Sequence, residues 1–323
     1  MINLDDINAA AIRLQNVVIK TPMIFSPMLN EMLGGKIYFK SENLQRTGSF
    51  KIRGAYNLLS QLNSEEARNG AVAYSSGNHA QAVAAAGKIL GIKTTIVMPR
   101  DTPKIKIENT KNLGGKVVFY DRYSEDREKI AYRIASENKA VIVPPYNHKQ
   151  IIAGQGTVGL EIANQCKELD ILPDQVLVCC SGGGLTAGVA TAITEKFPET
   201  NMYGVEPEDF DDTRRSLISG NFEVNNPKSR TICDALMSAP PGKLTFEINK
   251  RLLTDVLLVS DADVRKAIQY AFHYLKLVIE PGGAVALASI IKGCIDIKNK
   301  TTIAILSGGN IDAALFASIQ GDK

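Results

Sequence analysis

The chain has 323 residues, of which 45% are hydrophobic and 22% charged, with a formal net charge of +3. This is the balance of a soluble globular protein with room for about two domains, and its charge is too small, and too free of Lys/Arg tracts, to argue for nucleic acid. No apolar run reaches the ~18 residues of a membrane span, and the acidic start Met1-Ile2-Asn3-Leu4-Asp5-Asp6 has none of the apolar core of a signal peptide.

In chain order, an opening helix places Ile7, Ala11, Leu14 and Val18 on one face. A strand follows at 36–40 and a helix at 50–62. Strands are expected at 71–74, 94–98, 116–120 and 140–143, with helices between them at 79–90, 103–113 and 124–138. The pattern resumes with a helix at 157–169, a strand at 175–180 and a helix at 186–196. Later strands read at 201–205, 254–259 and 302–306, and Ser260 with Asp263 reads as a helix cap. This alternation predicts an α/β fold of open, mostly parallel twisted sheets with helices on both faces. The block 70–148 reads as an inserted small domain, and 1–69 with 149–323 as the large one.

The cysteines Cys166, Cys179, Cys180, Cys233 and Cys294 are few and odd in number. They form no Cys-x-x-Cys pair, which fits a reduced, cytoplasmic protein without structural zinc.

Three small-residue loops fall at strand ends, where open α/β sheets bind ligands. In Ser181-Gly182-Gly183-Gly184-Leu185, a strand enters three glycines and then a helix. Backbone N–H groups and the helix dipole suit a phosphate there. The spacing Gly182-x-Gly184-x-x-Ala187, with Glu206 about 20 residues on, equally permits a dinucleotide and hence an NAD-dependent dehydrogenase. A tight turn without ligand is the third reading. Ser75-Ser76-Gly77-Asn78-His79 precedes an alanine-rich helix, either as an anion site or as a plain helix cap. Leu306-Ser307-Gly308-Gly309-Asn310 ends the last strand, where a serine hydroxyl could face a ring nitrogen or simply sit in a turn.

Ser49-Phe50-Lys51-Ile52-Arg53-Gly54 adds a lysine at a helix start, which a dehydrogenase has no use for and a non-catalytic amino-acid-binding module does not need. In order along the chain stand Ser-Phe-Lys-x-Arg-Gly at 49–54, Ser-Ser-Gly-Asn-His at 75–79, Ala-Gly-Gln-Gly-Thr at 153–157, the glycines 182–184 and Ser-Gly-Gly-Asn at 307–310. This set resembles the fold-type II pyridoxal-phosphate (PLP) enzymes, of tryptophan synthase beta-like fold, specifically the serine/threonine dehydratase and serine racemase group.

The resemblance implies that Lys51 bonds the cofactor's aldehyde and later takes the Cα proton, and that Phe50 lies against the cofactor. It implies that Asn78 bonds the 3′-oxygen, that Ser181, Gly182, Gly183, Gly184 and Leu185 hold the phosphate, and that Ser307 meets the ring nitrogen. Ser75, Ser76, Gly77 and His79 would belong to the loop that holds the substrate carboxylate, with Ser76 where racemases carry a second acid/base. The implied reaction is β-elimination from a 3-hydroxy amino acid, L-threonine or L-serine first, giving a 2-oxo acid and ammonia. The close rivals are 3-hydroxyaspartate elimination and serine racemisation. A homodimer is implied by analogy.

Glu206-Pro207-Glu208-Asp209-Phe210-Asp211-Asp212 packs five carboxylates into seven residues. The resemblance implies a metal held by Glu206, the Phe210 carbonyl and Asp212, a set of hard oxygens suited to Mg²⁺, Ca²⁺ or Mn²⁺. A solvated acidic loop is the plain alternative.

The chain departs from the group at Ala235, where many relatives carry glycine, and at Tyr146-Asn147, where dehydratases often carry aspartate. Both departures bear on the substrate side chain. Arg127 reads as a surface residue. Glu280, in Glu-Pro-Gly-Gly at 280–283, is expected near the cofactor without an assigned step. No C-terminal regulatory domain is expected after 310.

Overall fold

The computed structural model describes residues 1–102, 104–226, 228–237 and 240–321. Its strands are β1 (Met23–Phe25), β2 (Lys36–Ser41), β3 (Ala71–Tyr74), β4 (Thr94–Pro99), β5 (Gly115–Tyr120), β6 (Val141–Ile142), β7 (Gln175–Cys179), β8 (Asn201–Pro207), β9 (Asp255–Val259) and β10 (Thr301–Leu306). Six strands form one sheet in the order β1-β2-β10-β7-β8-β9, and four form a second in the order β5-β4-β3-β6. Every pairing is parallel except β1 with β2. The central strands are apolar on both faces, as sheets covered by helices on two sides require. β7 and β3 are buried along their whole length. The larger core lies about the six-stranded sheet, and a second cluster packs Ile52, Leu59, Ile96 and Met98 beneath the four-stranded one.

The two-sheet α/β fold expected from the sequence is present. Some boundaries move. The expected helix 157–169 begins at Lys149 and runs to Glu168, so the Ala-Gly-Gln-Gly-Thr run is helical. Its glycines serve close packing. A Cβ on Gly154 would lie 2.6 Å from the Arg53 carbonyl oxygen and from Gly54 Cα. The helix that carries Lys51 ends at Leu59, and the helix expected at 103–113 spans Lys104–Asn112, its expected start at Pro103 lying outside the described residues. The helices Pro27–Leu33, Asp212–Ser219 and Lys243–Leu252 were not read from the sequence. The Ser260–Asp263 capping box is formed as expected.

Buried charges fix the helix that carries Lys51. Arg53 is fully buried. Its guanidinium grips Glu42 at 2.7 and 2.8 Å and Glu161 at 2.7 and 3.0 Å, and it also donates to Thr157. Lys40 completes the network by donating to Glu161 at 2.6 Å. Paired and bidentate, this cluster holds β2, the Lys51–Leu59 helix and the Lys149–Glu168 helix in one arrangement.

Candidate active site

Parallel strands deliver their loops to one edge. There the Lys51 loop is stitched to the Ser307 loop: Phe50 N–H donates to the Ser307 carbonyl at 3.3 Å and Gly309 N–H to that of Gly48 at 2.9 Å. Lys51 opens its helix, and its Nζ donates to the Pro145 carbonyl at 2.9 Å. The amine lies 5.2 Å from the centre of the Phe50 ring. Burial pushes the amine down to about 8, against the opposing influence of Cys179 and Glu280. A lysine so placed is neutral often enough near neutral pH to act as nucleophile or base.

Across the sheet, Ser307 is buried, and the Cys179 thiol donates to its hydroxyl at 3.2 Å. Ser181 donates to the Leu236 carbonyl at 3.1 Å. Gly183, at φ +83°, caps the Gly184–Lys196 helix with no side-chain capping bond. Only a glycine holds that conformation without strain. Thr245 braces the turn by donating to the Gly182 carbonyl at 2.6 Å. A Cβ on Gly182 would run into the Tyr146 ring. The result is a backbone cradle at a helix N-terminus with Leu185 in the first turn, which suits a phosphate.

In the second sheet, β3 leads into Ser75, Ser76 and Gly77, all partly exposed. The Asn78–Leu90 helix then begins, with no side-chain cap. A Cβ on Gly77 would meet nothing within 4 Å. First-turn N–H groups without a side-chain cap suit a carboxylate. Asn78 is held at both ends of its amide: Nδ2 donates to Glu280 at 2.6 Å, and Oδ1 accepts from Asn310 at 2.7 Å. His79 turns inward, with Nε2 2.9 Å from the Val143 carbonyl. Burial, then the Lys51 charge, push its ring down to about 3, so it stays neutral.

Glu280 is the partner sequence reasoning placed near the site without a task. It is buried, and burial with the Asp234 charge raises its carboxyl to about 7, against the Asn78 hydrogen bond. Asp234 in turn pairs with Lys106 at 2.7 Å, across a cavity of about 260 Å³ lined also by Gln81 and Asn310. No local signal marks these links, because they join residues far apart in the chain. Arg127 is exposed and stacks 5.7 Å from the Tyr74 ring, as a surface residue.

Glu206, near the end of β8, and Asp212, at the start of the following helix, lie together and fully buried. Burial and then the Asp212 charge raise Glu206 to about 8, and burial raises Asp212 to about 6. Glu206 accepts N–H bonds from Thr213 and Arg214, and Asn225 donates to Asp212 Oδ1, but Asp212 Oδ2 has no partner among the described residues. Phe210 is buried beside them. Among the described residues no three His, Cys, Asp or Glu side chains cluster as a metal site, so any cation here would need a backbone oxygen.

Fold and pocket together define an α/β enzyme with a lysine whose amine is lowered, a glycine turn suited to a phosphate and a neutral hydroxyl set at one sheet edge. The family described as pyridoxal-phosphate dependent enzyme matches residues 14–308. The chain is 40% identical to the L-threo-3-hydroxyaspartate ammonia-lyase of Saccharomyces cerevisiae, over 98% of this chain and 96% of that protein. It is 42% identical to the L-threonine ammonia-lyase of Thermotoga maritima, over 99% of this chain and 78% of the other. The structure of maize serine racemase superposes with a TM-score of 0.91 at 37% identity, over 99% of this chain and 97% of that one. The chain belongs to the fold-type II pyridoxal-phosphate-dependent enzymes. PLP is its cofactor, and the glycine turn at a helix N-terminus and the Lys51 amine fit it.

Proposed function

We propose that the chain is an ammonia-lyase that removes the hydroxyl and amino groups of a 3-hydroxy amino acid, with L-threonine and L-serine as substrates. When bound, PLP supplies an electron sink for charge developing at Cα. The remaining work falls to the chain. Lys51 would hold the cofactor's aldehyde and, as a free amine, would take the Cα proton; an amine near 8 suits that task. Ser181, Gly182, Gly183, Gly184 and Leu185 hold the phosphate through backbone N–H groups. Phe50 packs against the ring. Asn78 has a second N–H left for the 3′-oxygen once Glu280 has taken the first. Ser75, Ser76, Gly77 and the His79 backbone orient the substrate carboxylate, and the Ser76 hydroxyl is a second proton carrier.

One observation carries this reading: at the end of β10 stands a hydroxyl, Ser307, backed by a neutral thiol rather than a carboxylate. A serine cannot stabilise a protonated ring nitrogen as an aspartate does. The ring is then a weaker electron sink, which favours prompt loss of a β-substituent over transamination. A second reading, elimination from 3-hydroxyaspartate, needs a cation for the extra carboxylate. Lys106 faces the cleft but is engaged by Asp234. Serine racemisation is the third reading, favoured by Ser76 and by the likeness to maize serine racemase. Incubating the holoenzyme with each amino acid separates them. Rapid 2-oxo acid release from threonine and serine without D-serine supports the first reading; D-serine without 2-oxo acid overturns it.

We further infer a divalent cation, Mg²⁺, Ca²⁺ or Mn²⁺, between Glu206, the Phe210 carbonyl and Asp212. Two adjacent buried carboxyl groups and an unpartnered Asp212 oxygen support it. We read the four-stranded sheet as a small domain, 70–148, and the remainder, 1–69 and 149–323, as the large one. A homodimer is supported by exposed Phe25, Met28, Leu44, Phe272 and Val278. Bonds from Ser26 to the Tyr274 carbonyl and from Asn43 to that of Val278 bring these residues to one face. No described helix is long and apolar enough to cross a membrane. A cytoplasmic setting is supported by five free cysteines.

A further inference from the structure

Cys179 and Ser307 follow or end neighbouring strands of the six-stranded sheet, and their side chains meet in the interior, 6% and 4% exposed. The contact is not demanded by the activity, since a serine can face a ring nitrogen with no thiol behind it. What the thiol decides is where protons sit. A serine hydroxyl has one proton to give. Given to sulfur, it leaves the serine oxygen as an acceptor, and the ring nitrogen must then be protonated. Received from sulfur as a hydrogen bond, the hydroxyl keeps its own proton for the ring nitrogen, which must then be bare. The two directions correspond to opposite charges on the ring.

The geometry points to the second. The Cys179 thiol donates to Ser307 Oγ at 3.2 Å. Burial pushes this thiol up to about 11, so it keeps its proton across the neutral range even beside Lys51. A hydroxyl oxygen is also a better acceptor than a thiol sulfur. The adjacent cysteine has a separate role, as strand alternation requires: Cys180 turns to the opposite face and contacts Thr213 at 3.6 Å.

We propose that Cys179 is a positioning residue whose thiol proton holds the Ser307 hydroxyl as a donor and keeps the cofactor's ring nitrogen unprotonated. This rests on the reading above that Ser307 faces that nitrogen. No bond is made or broken and no electron moves; the effect is the orientation of two hydrogen bonds.

The test compares C179A, C179V and C179S, each alone and in an S307A background. C179A and C179V lack the donor, and C179V fills the space the sulfur leaves, so a folding defect in one does not decide the matter. C179S keeps a donor. Two readouts apply: the PLP dissociation constant of the apoenzyme, and the ¹⁵N shift of bound PLP labelled at the ring nitrogen. C179A and C179V are expected to weaken PLP about five-fold, the loss of one buried hydrogen bond, and to move the ¹⁵N signal toward the protonated range. C179S restores both readouts to within about two-fold of the unmodified enzyme. In the S307A background, C179V costs nothing further, because the two residues act as a unit. Unmodified binding in C179V, losses that multiply with those of S307A, or a protonated nitrogen in the unmodified enzyme each overturn the proposal. If S307A itself changes neither readout, the placement of Ser307 fails. If S307A weakens PLP and C179V does not, only the thiol's role fails.

Discussion

Replacing Arg53 by Met removes the cation that two carboxylates share in the interior. Arg53 and Glu42 are fully buried, and Glu161 is nearly so. In R53M, Lys40 still covers Glu161 at 2.6 Å, but Glu42 keeps as a hydrogen-bond donor only the hydroxyl of Thr21, with the Lys40 charge farther off. Breaking a buried pair on one side costs about 3–5 kcal/mol, because the stranded charge has no water to turn to. The pH dependence identifies the cause. Burial raises the Glu42 carboxyl, yet the Arg53 charge and hydrogen bonds outweigh it and hold the group below its ordinary value. A depressed carboxyl stabilises the fold above its unfolded pKa, and that stability is lost as pH falls through the folded value. In R53M the balance reverses, Glu42 rises above its ordinary value, and the folded state prefers it protonated. The stability gap between the two proteins, measured by urea denaturation, should therefore be widest near pH 8 and narrow toward about pH 5. A gap under about 1 kcal/mol, or one that does not change with pH, would refute the reasoning.

Three further outcomes follow from the same geometry. In G182A the new Cβ meets the Tyr146 ring, so PLP affinity should fall by about ten-fold, with G182A/Y146A recovering most of it; equal losses in both variants would place the clash elsewhere. The rate of PLP capture by the apoenzyme should climb with pH and level off above about 8, where the Lys51 amine is neutral; a flat stopped-flow profile would contradict the lowered amine. Millimolar Mg²⁺ should raise the melting temperature of the chelator-treated protein but not that of D212N, since the orphaned Asp212 oxygen is the proposed ligand; an equal rise in both would remove the site.

Much of the fold was legible because its signals are local. Apolar runs such as 175–179 between helical stretches announce buried parallel strands, and Ser260 with Asp263 announces a cap three residues away. The Lys51 loop and the glycine turn were legible for the same reason: each is a compact run whose residue types suit one chemistry. What escaped is non-local. Glycines at 154 and 156 fell outside the expected helix, yet they are helical and small because the Lys51–Leu59 and Gly184–Lys196 helices cross there. Thr245, which braces the glycine turn, lies 63 residues from Gly182 on a helix that was not read from the sequence. Glu280 finds Asn78 across 202 residues, and Cys179 finds Ser307 across 128. No spacing rule reaches that far.

Borohydride reduction of the PLP-loaded protein, followed by digestion and mass spectrometry, probes the central assignment most directly. A single phosphopyridoxyl adduct is expected, on the peptide that contains Lys51, with loss of the yellow colour. A label on Lys40 or Lys106 instead, or a colourless protein that takes none, would contradict it.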